Sequence, residues 1–393
     1  MHMSDALISP VVGGVMLAVT TGLSAYSVRK IQQESDLRKI PLMGVMGAFV
    51  FAAQMINFSI PGTGSSGHIG GGLLLAVMLG PGGGFVALAS ILLIQALFFA
   101  DGGLLAFGCN AFNLGFFTNY LAYPLIFLPI LRRGWTTRRI WIASVLAAVA
   151  GLQLGAFSVV VQTVLSGKTE LPFTAFILLM QPIHLAVGII EGIVTAAVLS
   201  FVWKARPEIF AGQGTLQSLP AFHENESGML RESAARLTVK RRSRSMRAVL
   251  AWLLAVTLII GGVLSWYASS DPDGLEWSIQ KITGKADLES DNAFHRILNT
   301  LRERLSFLPD YAPRTASNPD NPLEQKPSAG QEPAAAPGEP GEPSTPSPDP
   351  GTSLAGVAGG LMVLALVALI AFLAVLLKKK RKSVTPTEQR PVS

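Results

Sequence analysis

At 393 residues, half of them hydrophobic and only 14% charged, the chain reads as an integral membrane protein rather than a soluble globular one. A net charge of +6 invites a nucleic-acid reading, but the basic residues sit beside apolar stretches, where they read as topology signals. The single cysteine, Cys109, excludes an intramolecular disulfide and any thiolate-rich metal site.

The first residues lack a positive n-region and a small-residue cleavage site, so the terminus that reaches the membrane is expected to be the mature one. Methionine removal requires a small second residue, and His2 is not small; Met1 is therefore expected to stay. An unblocked Met1-His2 end carries three nitrogens at chelating spacing: the α-amine, the His2 amide once a metal has displaced its proton, and the His2 imidazole. The small fused rings they form with a metal hold them near one plane. A fourth nitrogen from His68, in the loop GTGSSGHIGGG, completes a planar N4 set, which suits Ni(II) or Cu(II) rather than tetrahedral zinc. The arrangement requires residues 1 and 68 on one side of the membrane.

Span one covers about 10–28 and ends at Arg29-Lys30, with Arg38-Lys39 before span two, about 40–58. The positive-inside rule puts that loop in the cytoplasm and both the N-terminus and the 59–70 loop outside. Residues 69–80 form a short third span, Pro81-Gly82-Gly83-Gly84 an inner turn, and 85–100 climb out to Asp101. The stretch 104–131 returns to Arg132-Arg133 and Arg138-Arg139, 140–165 leads out again, and 174–203 leads in to Lys204 and Arg206. The paired glycines of these spans read as helix-packing positions, except in 62–72, where glycine also lets the backbone fold around a ligand.

A basic connector, 206–246, ends in RLTVKRRSRSMR and reads as a solvated stop signal or anionic-lipid contact. Span eight, about 247–268, leads to an outer region, about 269–352, with fourteen Asp/Glu against seven Lys/Arg. Its Pro/Gly/Glu-rich part, about 310–350, buries no core. Span nine, about 353–377, precedes a basic tail, 378–393. The expected fold class is thus all-α and membrane-spanning, with a seven-helix bundle plus two additional transmembrane helices, N-terminus outside and C-terminus cytoplasmic.

The segments MHMSDALISP, FVFAAQMINFSIPGTGSSGHIGGGLLLAVMLGPGGG, IQALFFADGGLLAFGCNAFNLG and PIHLAVGIIEGIVTAAVL, in that order across 1–205, resemble the CbiM/NikM family. These are the substrate-binding membrane subunits of energy-coupling-factor transporters for cobalt and nickel. PDGLEWS at 272–278, with its two flanking spans over 247–377, resembles the small CbiN/NikN subunit fused in the same chain. The resemblance implies a substrate-binding bundle of the S-component type that imports Co2+ or Ni2+, for cobalamin biosynthesis or nickel metalloenzymes. Met1, His2 and His68 match the family's metal ligands. It also implies partners, namely a transmembrane coupling protein and cytoplasmic ATPases. No prosthetic group, nucleic acid or enzymatic activity is expected, and no G-x-x-x-x-G-K-[ST] loop is present to bind ATP.

His184 and Glu191 lie seven residues apart on one face of the last bundle helix, and buried ionisable residues in a span are functional candidates by default; bracing the bundle is the equal alternative. Asp101, Asn110 and Asn113 are candidates for orienting His68 or hydrating the site, with turn and cap roles as the alternative. His295, in a connector, carries no role, and the scattered methionines read as packing. Two other function classes stay open: an intramembrane enzyme, for which HExxH is missing, and a metal-holding assembly or sensor protein that does not translocate. Nickel and cobalt are not separated by the residues; the planar set favours nickel over high-spin cobalt, and copper over both.

Overall fold

A computed structural model describes residues 1–34, 39–206, 209–210, 247–285, 288, 293–311 and 350–384. Most of the basic connector, the Pro-rich linker from 312 to 349 and the tail beyond 384 lie outside the described residues. Lipid offers the main chain no hydrogen-bond partners, so the apolar stretches must satisfy their own backbone, and they do so as helices. In chain order these are α1 (Pro10–Glu34), α2 (Lys39–Gln54), α3 (Gly72–Phe99), α4 (Phe107–Leu131), α5 (Thr137–Leu165) and α6 (Phe173–Ala205). The PDGLE region contributes α7 (Arg247–Gly262), α8 (Gly274–Thr283), α9 (Ala293–Leu305) and α10 (Pro350–Val384). Among the described residues, six helices are long and apolar enough to cross a membrane, and α2 and α7 are shorter apolar helices beside them.

The helix α3 is not one crossing. Gly80 breaks it with φ 80 and ψ 163, a conformation reserved for glycine, and Pro81 restarts the helix in the opposite direction. The two legs run so close that a Cβ on Gly84 would stand 2.8 Å from the Ala76 nitrogen. The bend at Gly82 lies against Ser27 and Lys30, at the basic end of α1, while both ends of α3 emerge at the opposite face of the bundle. With α3 counted as two legs, the described residues hold nine apolar helical segments where the sequence pattern predicts nine spans, and six of the helices are long enough to cross a membrane.

Packing relies on small residues. A Cβ on Gly192 would meet Val145 Cα at 2.5 Å, and one on Gly188 would meet Val149 Cα at 2.9 Å, which seats α6 against α5. In the same way Gly261 faces Gly356 between α7 and α10, and Gly44 and Gly47 receive α10 on α2, so the fused spans join the bundle flank.

The glycine-rich loop after α2 contains a short hairpin. Strands β1 (Phe58–Ile60) and β2 (Ser65–Gly67) pair antiparallel with Ser59 opposite Ser66, and Gly62 and Gly64 take left-handed turn conformations between them. The PDGLE segment then adds along β2: the Ser66 amide donates to Pro272 O at 2.8 Å, and the Ser66 hydroxyl to Asp271 O at 2.7 Å. Gly84→Val should splay the α3 hairpin at a cost of about 1–3 kcal/mol; a lower melting temperature of the detergent-solubilised protein checks it.

Candidate metal centre

Residues 1–8 turn inward and plug the mouth of the bundle. Asp5 is the anchor. One carboxylate oxygen accepts from the Leu105 and Ala106 amides at 2.8 and 3.0 Å, and the other from Leu104 at 3.2 Å, in the turn that leads into α4. Met3 is fixed by its backbone: its amide donates to Asn110 Oδ1 at 2.8 Å, and its carbonyl accepts from Asn110 Nδ2 at 3.1 Å and from the Gly103 amide at 2.9 Å. Asn113 donates to the Met3 sulfur at 3.6 Å and exchanges two amide hydrogen bonds with Gln162 on α5, at 2.8 and 2.9 Å. Asn110 and Asn113 therefore hold Met3; neither orients His68, as the sequence had suggested.

With Met3 held, the first two residues reach the His68 loop. The His2 and His68 rings lie with centroids 5.0 Å apart, and His68 and the Met1 amine share a cavity whose wall also includes His184, Asp273 and Gly70. His2 Nδ1 stands 2.7 Å from Asp101 Oδ1, so Asp101 orients His2 and not His68. His2 Nε2 is buried with no hydrogen-bond partner. His68 Nδ1 lies 3.1 Å from Ile69 O; a carbonyl only accepts, so Nδ1 holds the proton and Nε2 presents its lone pair. Burial, with help from His2 and the terminal amine, pushes the His68 pKa down to about 4, which keeps the ring neutral and available to a metal at neutral pH. Burial alone would raise the Asp101 carboxyl, but His2 and a hydrogen bond from Tyr311 outweigh it and hold the group ionised. Among the described residues no group of three His, Cys, Asp or Glu side chains is placed to hold a metal ion by itself.

Both α6 candidates are buried. His184 donates from Nδ1 to Met180 O at 2.7 Å and lines the cavity beneath Met1. Glu191 Oε2 accepts from the Gly70 amide at 2.7 Å, two residues after His68, which ties α6 to the His68 loop. Gln54 donates to Gly70 O at 2.8 Å from the other side, and Gln95 donates to Gln54 at 3.0 Å and to the Tyr311 hydroxyl at 3.1 Å.

Asp5, Asp273, Tyr311 and His295 went unassigned in the sequence. Asp273 Oδ2 lies 3.2 Å from the Met1 amine. Tyr311 donates to Asp101 Oδ2 at 2.6 Å. His295, set aside as a connector residue, is buried and donates from Nε2 to Ile8 O at 2.9 Å, so it secures the plug. Only the PDGLE motif itself marked any of these positions in advance.

Residues 2–209 match the model of the CbiM family, described as the cobalt uptake substrate-specific transmembrane region. The chain belongs to the CbiM family. Residues 247–376 match the PDGLE domain, so the chain is a CbiM region fused to a CbiN-like one. Its relatives include a putative metal transport protein of Haloquadratum walsbyi, 35% identical over 53% of this chain and 93% of the relative. A putative fused nickel transport protein, NikMN, of Archaeoglobus fulgidus is 32% identical over 53% of this chain and 68% of the relative. A solved structure of a transition metal transporter aligns at 27% identity with a TM-score of 0.48, over 55% of this chain and 100% of that one. Family membership and the apolar helices make the chain a multi-pass membrane protein and a component of a metal transporter.

The Glu191 contact in this CbiM region generates a direct check. Glu191→Ala leaves the Gly70 amide buried and unpaired, at a cost of about 1–3 kcal/mol. Amide exchange across 65–75 should accelerate in that variant and stay close to the wild-type rate in Glu191→Gln, which keeps an acceptor oxygen.

Proposed function

We propose that the chain is the substrate-capture subunit of an energy-coupling-factor importer of Ni2+ or Co2+, loaded from outside at its own amino end. The observation that carries this reading is the convergence of the Met1 amine, the His2 ring and the His68 ring at one end of the bundle. Chelation uses His2 Nδ1, because only that nitrogen closes a small ring with its own amide. Metal entry exchanges the Asp101–Nδ1 contact for a metal bond and adds His68 Nε2 as the fourth donor; His2 Nδ1, the Met1 ammonium and the His2 amide each give up one proton to water as they ligate. Cobalt and nickel stand in the descriptions of the family and of its relatives, respectively; the planar nitrogen set favours nickel.

Release inward means breaking the planar set. Glu191 couples α6 to Gly70, so a tilt of α6 drags His68 away from the other three donors. The work for that tilt comes from partners: a transmembrane coupling protein and ATPase subunits, since this chain carries no P-loop. We place the site on the outer face, because the arginine pairs Arg132-Arg133 and Arg138-Arg139 border the opposite end.

Extending the terminus by one residue moves the amine out of register, and His68→Ala deletes the fourth donor. Each should abolish stoichiometric Ni2+ binding by the purified protein and metal uptake in cells that contain the partners; unchanged uptake in either overturns the site. Elemental analysis after competition among Ni2+, Co2+ and Cu2+ identifies the cargo. For sidedness, Glu170→Cys should react with a membrane-impermeant maleimide on intact cells and Arg133→Cys only after permeabilisation, against a background in which Cys109 is buried.

A further inference from the structure

We infer that two side chains of the fused PDGLE region, Asp273 and Tyr311, are positioning residues for the amino-terminal claw, one for each of its outer donors. This rests on the reading of Met1, His2 and His68 given above and extends it to residues on a different part of the chain.

Asp273 divides its carboxylate between two tasks. Oδ1 caps α8, accepting from the Leu275 and Glu276 amides at 2.7 and 2.9 Å, while Oδ2 takes the Met1 amine at 3.2 Å. The Ser66–Pro272 hydrogen bond sets the residue in place by pinning the PDGLE strand two residues from His68. One short segment therefore fixes the amine and the loop of the fourth donor relative to each other. The cap oxygen is committed to its helix, so the amine meets an acceptor whose position α8 has already determined.

Tyr311 governs the other side. Its hydroxyl donates to Asp101 Oδ2 at 2.6 Å, while Asp101 Oδ1 holds His2 Nδ1 at 2.7 Å, so tyrosine, carboxylate and imidazole form one chain. Asp101 follows Ala100, at φ 56, and precedes Gly102, at φ 87, in a connection whose own backbone sequence does little to fix a side chain. The tyrosine supplies the fixation. Its ring stacks on Phe99 at 5.0 Å, its hydroxyl also accepts from Gln95, and its backbone sits at φ 60, a conformation a bulky residue adopts only where its surroundings impose it. Amine and imidazole must lie in one plane with the amide between them. The amine is held by Asp273 and the imidazole by Asp101, whose place Tyr311 fixes, so both outer donors are confined beside the His68 loop before the ion arrives; exchange of the Asp101–Nδ1 contact remains, but less ordering of the chain is left for the metal to impose.

The test uses the purified full chain titrated with Ni2+, as wild type, Asp273→Asn, Tyr311→Phe and His68→Ala. Asparagine is as good a helix cap as aspartate, so Asp273→Asn keeps α8 and loses the charged acceptor. Phenylalanine keeps the stacking and loses the hydroxyl. Dissociation constants should rise about tenfold or more in Asp273→Asn and about threefold or more in Tyr311→Phe. At saturation both should show the wild-type d–d absorption of Ni2+, because the donor set is intact, whereas His68→Ala should not. Wild-type affinity in a variant overturns the role of that residue. A changed spectrum makes the residue a ligand and not a positioner, and a matching fall in the melting temperature of the metal-free variant makes its role structural; either overturns the inference. A wild-type protein that binds no Ni2+ overturns instead the claw on which the inference rests.

Discussion

The arrangement depends on one carboxylate at a helix start. Asp5 accepts from three successive backbone amides where α4 begins, and this pulls the first eight residues into the bundle instead of leaving them in solvent. The three amides belong to the turn that leads into α4, and an acid from a distant part of the chain satisfies them. Asn110, one turn further along α4, then takes both backbone groups of Met3. The terminus acquires a defined position in this way, and only a terminus with a defined position can be a ligand.

The second constraint is the doubled-back α3. Because Gly80 reverses the chain halfway, the His68 loop at the start of α3 and Asp101 just beyond its end arrive at the same face of the bundle. A continuous helix of the same length would have put them on opposite faces. Gly84 lets the two legs touch.

Much of this was legible in the sequence. Apolar length and arginine placement gave the passes, Pro81 with three glycines marked the reversal, and Met1, His2 and His68 stood out by donor chemistry. What escaped is what arises only on folding. Asp5 reads as an ordinary polar residue until α4 presents its amides; Asn110 and Asn113 promised polar support for His68 and instead serve Met3. Tyr311 lies 210 residues from Asp101, and Asp273 lies 272 from the Met1 amine, and no local pattern encodes either pairing. The strands β1 and β2, three residues each, are too short for a period-two pattern to show in the sequence.

Clamping Met3 at both its amide and its carbonyl has a mechanical consequence. Only two residues project beyond the clamp, a reach of roughly 7 Å at full extension, against a hydrocarbon layer of about 30 Å. A tether that short cannot carry anything to the far side. If the amino end is the site proposed above, its ion is surrendered where it was caught, and passage falls to the walls around it, which open below while the amino end stays moored above.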